Sequence, residues 1–244
     1  MSDYHPQART IPAGQADMSV DAGLRGFMLG VYNKMALGLL LSAGIAYGVA
    51  TTGAIVFLLQ NPILLFAFIF APLVLIIISS WFMKNPSPTS ANVIYWGVVA
   101  TMGVSLGLTV FVYAADPGGM FTIVKALLVT CATFGALSLW GYTTKRDLSG
   151  FGTFLYMGVI GIIIAMVVNF FLHSSALDFA ITVIGVLIFS GLTAFKTQQI
   201  KWSYYQLGGD ARAIAVGTTY AALSLYITFI NLFLFVLRLM GGRR

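Results

Sequence analysis

The chain contains no glutamate: all seven acidic residues are aspartates, and charged residues make up only 8% of its 244 positions. A soluble domain carries roughly a quarter charged residues, so this composition cannot build an ordinary water-facing surface. A single cysteine, Cys131, excludes a disulfide within the chain. No partner base for a catalytic thiol can be placed beside it, and packing inside its apolar run is the expectation. The two histidines, His5 and His173, lie far apart, and no Cys or His cluster has metal-ligand spacing. No metal or other cofactor is therefore expected. No strand pattern is present for a glycine-rich phosphate loop to follow. An enzyme is disfavoured and no catalytic residue is assigned. The first thirty residues lack the early apolar core of a cleavable signal peptide.

Hydrophobic residues fill what remains. They make up 59% of the chain, and the mean hydropathy is +0.93. This is the composition of a polytopic protein whose chief partner is the lipid bilayer. The net charge of +6 does not point to nucleic acid, because the basic residues sit singly or in pairs between apolar runs. That is the pattern of topology-setting anchors. Residues 1–28 read as a polar cytoplasmic tail, with a segment from Asp21 suited to an interfacial helix. Residues 29–241 read as one transmembrane domain, and 242–244 as a basic carboxyl tail.

Seven apolar segments are predicted, at about residues 32–51, 63–83, 92–114, 121–140, 151–172, 177–195 and 217–240. The expected fold is an all-α integral membrane protein of seven transmembrane helices. Pro72 predicts a kink in the second segment. Alternate gaps hold Lys84, then Lys145 and Arg146, then Lys196, Lys201 and Arg212; the amino-terminal tail holds Arg9 and Arg25. The opposite gaps hold almost no basic residue, Lys125 being the exception. The amino terminus is therefore expected in the cytoplasm. Seven crossings leave Arg238, Arg243 and Arg244 on the far side, against this rule. A last segment that re-enters would remove the conflict, but its length favours a full crossing. The pairs Gly26 and Gly30, Gly44 and Gly48, and Gly103 and Gly107 are spaced for close helix approach. The general glycine-richness of membrane helices accounts for them equally well.

Two polar stripes stand out. In the last segment Tyr220, Ser224, Thr228, Asn231 and Arg238 recur at steps of three, four and seven. Lipid cannot hydrogen-bond such a stripe, so it should face other helices or water. Thr228 and Asn231 serve either as interhelical glue, at about 0.6 kcal/mol per bond, or as pathway lining. In the sixth segment Ser190, Thr193, Lys196 and Thr197 share a face. A lysine at a helix centre costs about 2.5–3.5 kcal/mol. Lys196 is expected at the cytoplasmic end, as a topology anchor or as a fixed positive charge at a cavity mouth.

The stretches AGLRGFMLGVYNKMALGL (22–39), FGALSLWGYTTKRDLSGFGTFLYMG (134–158), SSALDFAITVIGVLIFSGLTAFKTQQIK (174–201) and ALSLYITFINLFLFVLRLMG (222–241) resemble the bacterial branch of the Bax inhibitor-1 family. The resemblance implies a bundle in which the last helix is surrounded by the other six. It also implies a calcium-permeable, proton-sensitive leak in the bacterial inner (plasma) membrane. The leak's sensor would be two aspartates that share a proton, one in the sixth helix and one in the last. This sequence departs at both places: Lys196 and Thr228 occupy the aspartate positions, and Phe82 stands near an expected arginine. The calcium leak is therefore expected to be impaired or insensitive to pH. The alternative is a non-conducting regulatory protein that binds a membrane protease or another membrane protein. A transporter with an anion site at Lys196 is a third reading.

Overall fold

Most of the predicted helix ends coincide with local stop signals. The computed structural model describes the backbone of residues 13–82 and 86–241 and the side chains of residues 22–78 and 86–241. Expectations for residues 1–12, Lys84, the Phe82 side chain and the tail 242–244 lie outside the described residues. The elements are α1 (Ala13–Thr51), α2 (Ala54–Gln60), α3 (Pro62–Phe82), α4 (Pro88–Ala114), α5 (Gly119–Thr143), α6 (Ser149–Leu172), α7 (Ser175–Gln206) and α8 (Ala211–Gly241). No strand occurs among the described residues.

Six helices are long and apolar enough to cross a membrane. The pair α2 and α3 is bent by 108° and makes seven when counted as one broken span. Pro62 explains the bend, since proline restricts the residue before it and offers no amide to continue α2. Asn61 closes α2 by donating its backbone amide to the Leu58 carbonyl and its side-chain amide to the Phe57 carbonyl. Pro72, by contrast, sits inside α3 without ending it. The start of α4 is fixed by a reciprocal cap: Ser87 accepts from the Ser90 amide, Ser90 accepts from the Ser87 amide, and Pro88 follows.

α1 is longer than the apolar run that predicts it. It passes through position 28 without a break, and Leu24, Phe27 and Met28 are buried in the main core. The polar residues of its first half hide this from hydropathy.

α8 is the centre of the bundle. Of its most apolar stretch 72% is buried, against 11–39% for the other long spans. It packs on α1, α4, α5 and α7, while α3 rests on α4 and α6 on α7. α1, α4 and α8 run parallel, because residues 34 and 42 of α1 meet 92 and 99 of α4 and 219 and 226 of α8 in the same order. α8 is one unbroken helix of 31 residues, about 46 Å long. It crosses and does not turn back.

Of the three glycine pairs only Gly103 and Gly107 mark a close approach. A Cβ on Gly103 would stand 2.9 Å from the Ile45 Cβ, and one on Gly107 2.8 Å from the Val49 Cγ1. Gly26, Gly44 and Gly48 have nothing within 4 Å, and Gly30 only touches Thr218. A tighter contact between α5 and α7 was unpredicted: a Cβ on Gly141 of α5 would overlap the Ala194 carbonyl of α7. Cys131 also differs from expectation. It is exposed where α5 lines the cavities toward α1, and it is not packed in the core.

Candidate functional site

A polar seam ties α8 to its neighbours. Its first knot is Lys34, half-buried on α1. The ammonium donates to the Asn92 Oδ1 of α4 and, at 2.6 Å, to the Thr219 Oγ1 of α8. Both acceptors are oriented by bonds of their own. The Asn92 amide nitrogen donates to the Pro88 carbonyl at 2.8 Å, which turns its oxygen to Lys34. The Thr219 hydroxyl donates to the Ala215 carbonyl at 3.0 Å, leaving a lone pair for the ammonium. The fully buried Tyr95 ring lies 5.5 Å from the Lys34 nitrogen, and its hydroxyl donates to the Lys34 carbonyl at 2.7 Å.

The second knot lies two turns further along. Ser42 donates to the Val99 carbonyl at 2.9 Å and is 2.6 Å from the Tyr226 hydroxyl. Since the single Ser42 proton goes to Val99, Tyr226 is the donor to Ser42. A third tie joins α1, α5 and α7: the Tyr32 hydroxyl meets Ser138, which is 3.0 Å from the Thr197 hydroxyl. Every buried side-chain nitrogen or oxygen among the described residues has a hydrogen-bond partner, as a lipid-embedded bundle requires.

Lys196 and Thr228 come to one level but are not joined. Phe235 of α8 stacks on Phe189 of α7 at 5.5 Å and covers Gly185. That antiparallel register sets Lys196 opposite residues 226–228. Yet the Lys196 ammonium turns to α6, 5.0 Å from the Tyr156 ring centroid. The buried Thr228 hydroxyl donates within its own helix to the Ser224 carbonyl at 2.9 Å. Asn231 does the same to the Ile227 carbonyl at 2.8 Å. Thr193 donates to the Phe189 carbonyl. Ser190, Tyr220 and Ser224 are half-buried. None of these residues lines either of the two larger cavities, of about 650 and 510 Å³. Arg238 is exposed and shares a separate pocket of about 390 Å³ with Asp178 and Thr182. Among the described residues no group of three or more His, Cys, Asp or Glu could hold a metal ion.

The end of the bundle near Lys196 is tied by two more side chains. Lys201 donates to the Tyr142 carbonyl in the last turn of α5 at 3.0 Å, a favourable place for a cation. Gln198 donates to the Arg146 carbonyl at 2.7 Å and accepts from the Leu148 amide at 2.9 Å, clamping the α5–α6 connection. Within that connection Asp147 is held below the usual carboxylate range by the Ser149 backbone amide and then by its hydroxyl, each 2.9 Å away.

Of the residues that carry the interhelical bonds, Thr197 was among the sequence candidates and bonds Ser138 of α5, whereas Lys34, Ser42, Asn92, Tyr95, Thr219 and Tyr226 were missed in the sequence. A signal existed. Positions 34 and 42, 92 and 99, and 219 and 226 each share a helix face, but only their pairing across three helices gives those spacings meaning.

The family model described as "Inhibitor of apoptosis-promoting Bax1" matches residues 24–244. An uncharacterised protein of Caulobacter vibrioides is 50% identical over the full length of both chains. The inner membrane protein YbhL of Escherichia coli is 41% identical over 96% of this chain and 98% of its own. An uncharacterised Rickettsia prowazekii protein is 37% identical over the full length of both. With a bundle of apolar helices built on a buried last helix and a family match over nearly the whole chain, the protein belongs to the Bax inhibitor-1 family of multi-pass membrane proteins.

Proposed function

We propose that the protein is an inner-membrane member of its family in which the calcium leak implied by the resemblance is impaired or insensitive to pH. The observation that carries this reading is the charge of the interior. Among the described side chains, Asp116, Asp147 and Asp210 lie in connections between helices, and Asp178 lies in the first turn of α7. Lys34 is the charged group at the centre of the seam, and Lys196 and Thr228 stand where a carboxylate pair is implied. Neither can share a proton as two carboxylates do. A divalent cation brought within about 6 Å of a lysine ammonium, at an effective dielectric of about 20, meets roughly 5 kcal/mol of repulsion. In this reading the protein is not an enzyme.

An amino terminus in the cytoplasm is supported by the sorting of charge. Arg25, Lys145, Arg146, Lys196, Lys201 and Arg212 gather at one end of the bundle, where Gln198 and Lys201 bond to the α5–α6 end and Tyr204 meets Gly23. An inner-membrane location is supported by the name of the YbhL relative.

The test is calcium flux into liposomes between about pH 6 and 8, a range that brackets a proton shared by coupled carboxylates. The expected result is little flux and no pH dependence for the natural chain, with flux restored in a Lys196→Asp, Thr228→Asp double variant. Robust flux in the natural chain that changes with pH would overturn the reading. A second reading, a non-conducting partner of a membrane protease or other membrane protein, is favoured by α6, which packs on α7 alone and leaves Phe170 and Phe171 exposed. Crosslinking in native membranes that recovers no stoichiometric partner would count against it.

A further inference from the structure

The two larger cavities are one cleft. They share Ala36, Leu39, Cys131 and Phe229. The cleft runs along α1 from Arg25 to Tyr47, a rise of about 33 Å. That is close to the hydrocarbon thickness of about 30 Å. Its walls are α1 and α5, which both pack on α8 and are tied to each other by the Tyr32–Ser138 hydrogen bond, both residues lining the cleft. Its floor at the waist is Phe229 of the central helix, and its rims carry exposed apolar side chains such as Leu29, Leu127 and Leu139. The slot therefore opens sideways on the bilayer and reaches the centre of the bundle.

We propose that this cleft binds an anionic phospholipid, with an acyl chain lying along the slot against Phe229 and the headgroup phosphate held at its mouth by Arg25. Three observations lead there. The first is shape. The cavity of about 650 Å³ extends over the rise of α1 from Arg25 to Leu39, about 21 Å. It is long and is bridged by the Tyr32–Ser138 bond, which suits a flexible hydrocarbon chain better than a helix about 10–12 Å across. The second is chemistry. The lining is apolar nearly throughout, and a void there would forfeit the dispersion contacts of every lining residue. The third is charge. Arg25 is exposed at the end of the cleft beside Tyr142, and Lys145 and Arg146 follow α5 at that same end. Arg25 is the one of the three that lines the cleft, and one basic residue at headgroup level favours anionic over zwitterionic lipid about five-fold.

Cys131, the single cysteine of the chain, sits where the two cavities meet and reports on occupancy. In detergent-purified full-length protein, phosphatidylglycerol should slow maleimide alkylation of Cys131 about five-fold relative to equal phosphatidylcholine, the equivalent of one basic residue. In Arg25→Gln the two lipids should act alike. Gly135 lines the cleft with nothing within 4 Å of an added Cβ. Gly135→Leu should therefore fold, fill the slot and lose the lipid that native mass spectrometry finds retained. Equal protection by both lipids, discrimination that survives Arg25→Gln, or unchanged lipid retention in a Gly135→Leu protein of normal melting temperature would each overturn the proposal. So would capture of a second copy of the chain, not lipid, by a crosslinker on Cys131.

Discussion

Removing either partner of the Ser42–Tyr226 bond should have unequal costs, because the bond is directional. Ser42→Ala deletes the acceptor of the Tyr226 hydroxyl, whose side chain is wholly buried. A buried O–H left without a partner costs about 1–3 kcal/mol. Tyr226→Phe deletes only the donor, and Ser42 keeps its bond to the Val99 carbonyl. That change removes one interhelical bond, worth about 0.6 kcal/mol on average in membrane helices and at most about 1.7. Ser42→Ala should therefore destabilise more than Tyr226→Phe. The double variant leaves no orphaned hydroxyl and should cost less than the two singles together, with a coupling of about 1 kcal/mol. Reversible unfolding of the four proteins in bicelles, followed by denaturing detergent or steric trapping, gives all the terms of the cycle. Additive costs, or a Tyr226→Phe cost equal to or above that of Ser42→Ala, would refute the assignment of Tyr226 as donor and the seam built on it.

Gly141→Ala should destabilise by about 1–3 kcal/mol or more, because its Cβ meets the Ala194 backbone carbonyl, while Gly44→Ala, into open space, should be neutral or gain up to about 1 kcal/mol; melting temperatures in detergent compare them. Lys34→Met should cost about 1–3 kcal/mol through two lost charge-assisted bonds to Asn92 and Thr219, whereas Lys196→Met should cost less than about 1 kcal/mol, having the Tyr156 ring as its contact; equal losses would undo the ranking. Asp147 has its carboxyl lowered by the two Ser149 donors, so its capping of the α6 start is present above the unfolded carboxylate value of about 3.9 and is lost as pH falls through the folded value. Protection of the Ser149 amide in hydrogen exchange should fall over that acidic window and be lower throughout in Asp147→Ala.

Apolar runs were enough to predict the spans, since lipid admits only segments whose backbone bonds close internally. The predicted seven follow from hydropathy and from breakers such as the serine and proline run before α4, while Asn61-Pro62, read as a connection, bends the α2–α3 pair. The burial of Leu24, Phe27 and Met28 in the main core was not legible, because amphipathic burial does not raise mean hydropathy. Cys131 was misread because an apolar neighbourhood in sequence does not tell an exposed position from a packed one.

The last helix shows the same division. Its length, its apolarity and its stripe from Tyr220 to Arg238 were legible in sequence, and with the resemblance so was its place at the centre. The positive charge of Lys196 and the neutrality of Thr228 were legible too, because a charge sign is a property of one residue. The stripe's partners were not. Thr228 and Asn231 turn their donors into their own helix, while Thr219 and Tyr226, on a different face, carry the bonds to α1 and α4. A hydroxyl in a helix can bond its own i−4 carbonyl or a neighbouring helix at similar cost. Periodicity identifies which residues share a face. Only packing, through the parallel register of α1, α4 and α8 and the gap left between α1 and α5, decides what that face meets.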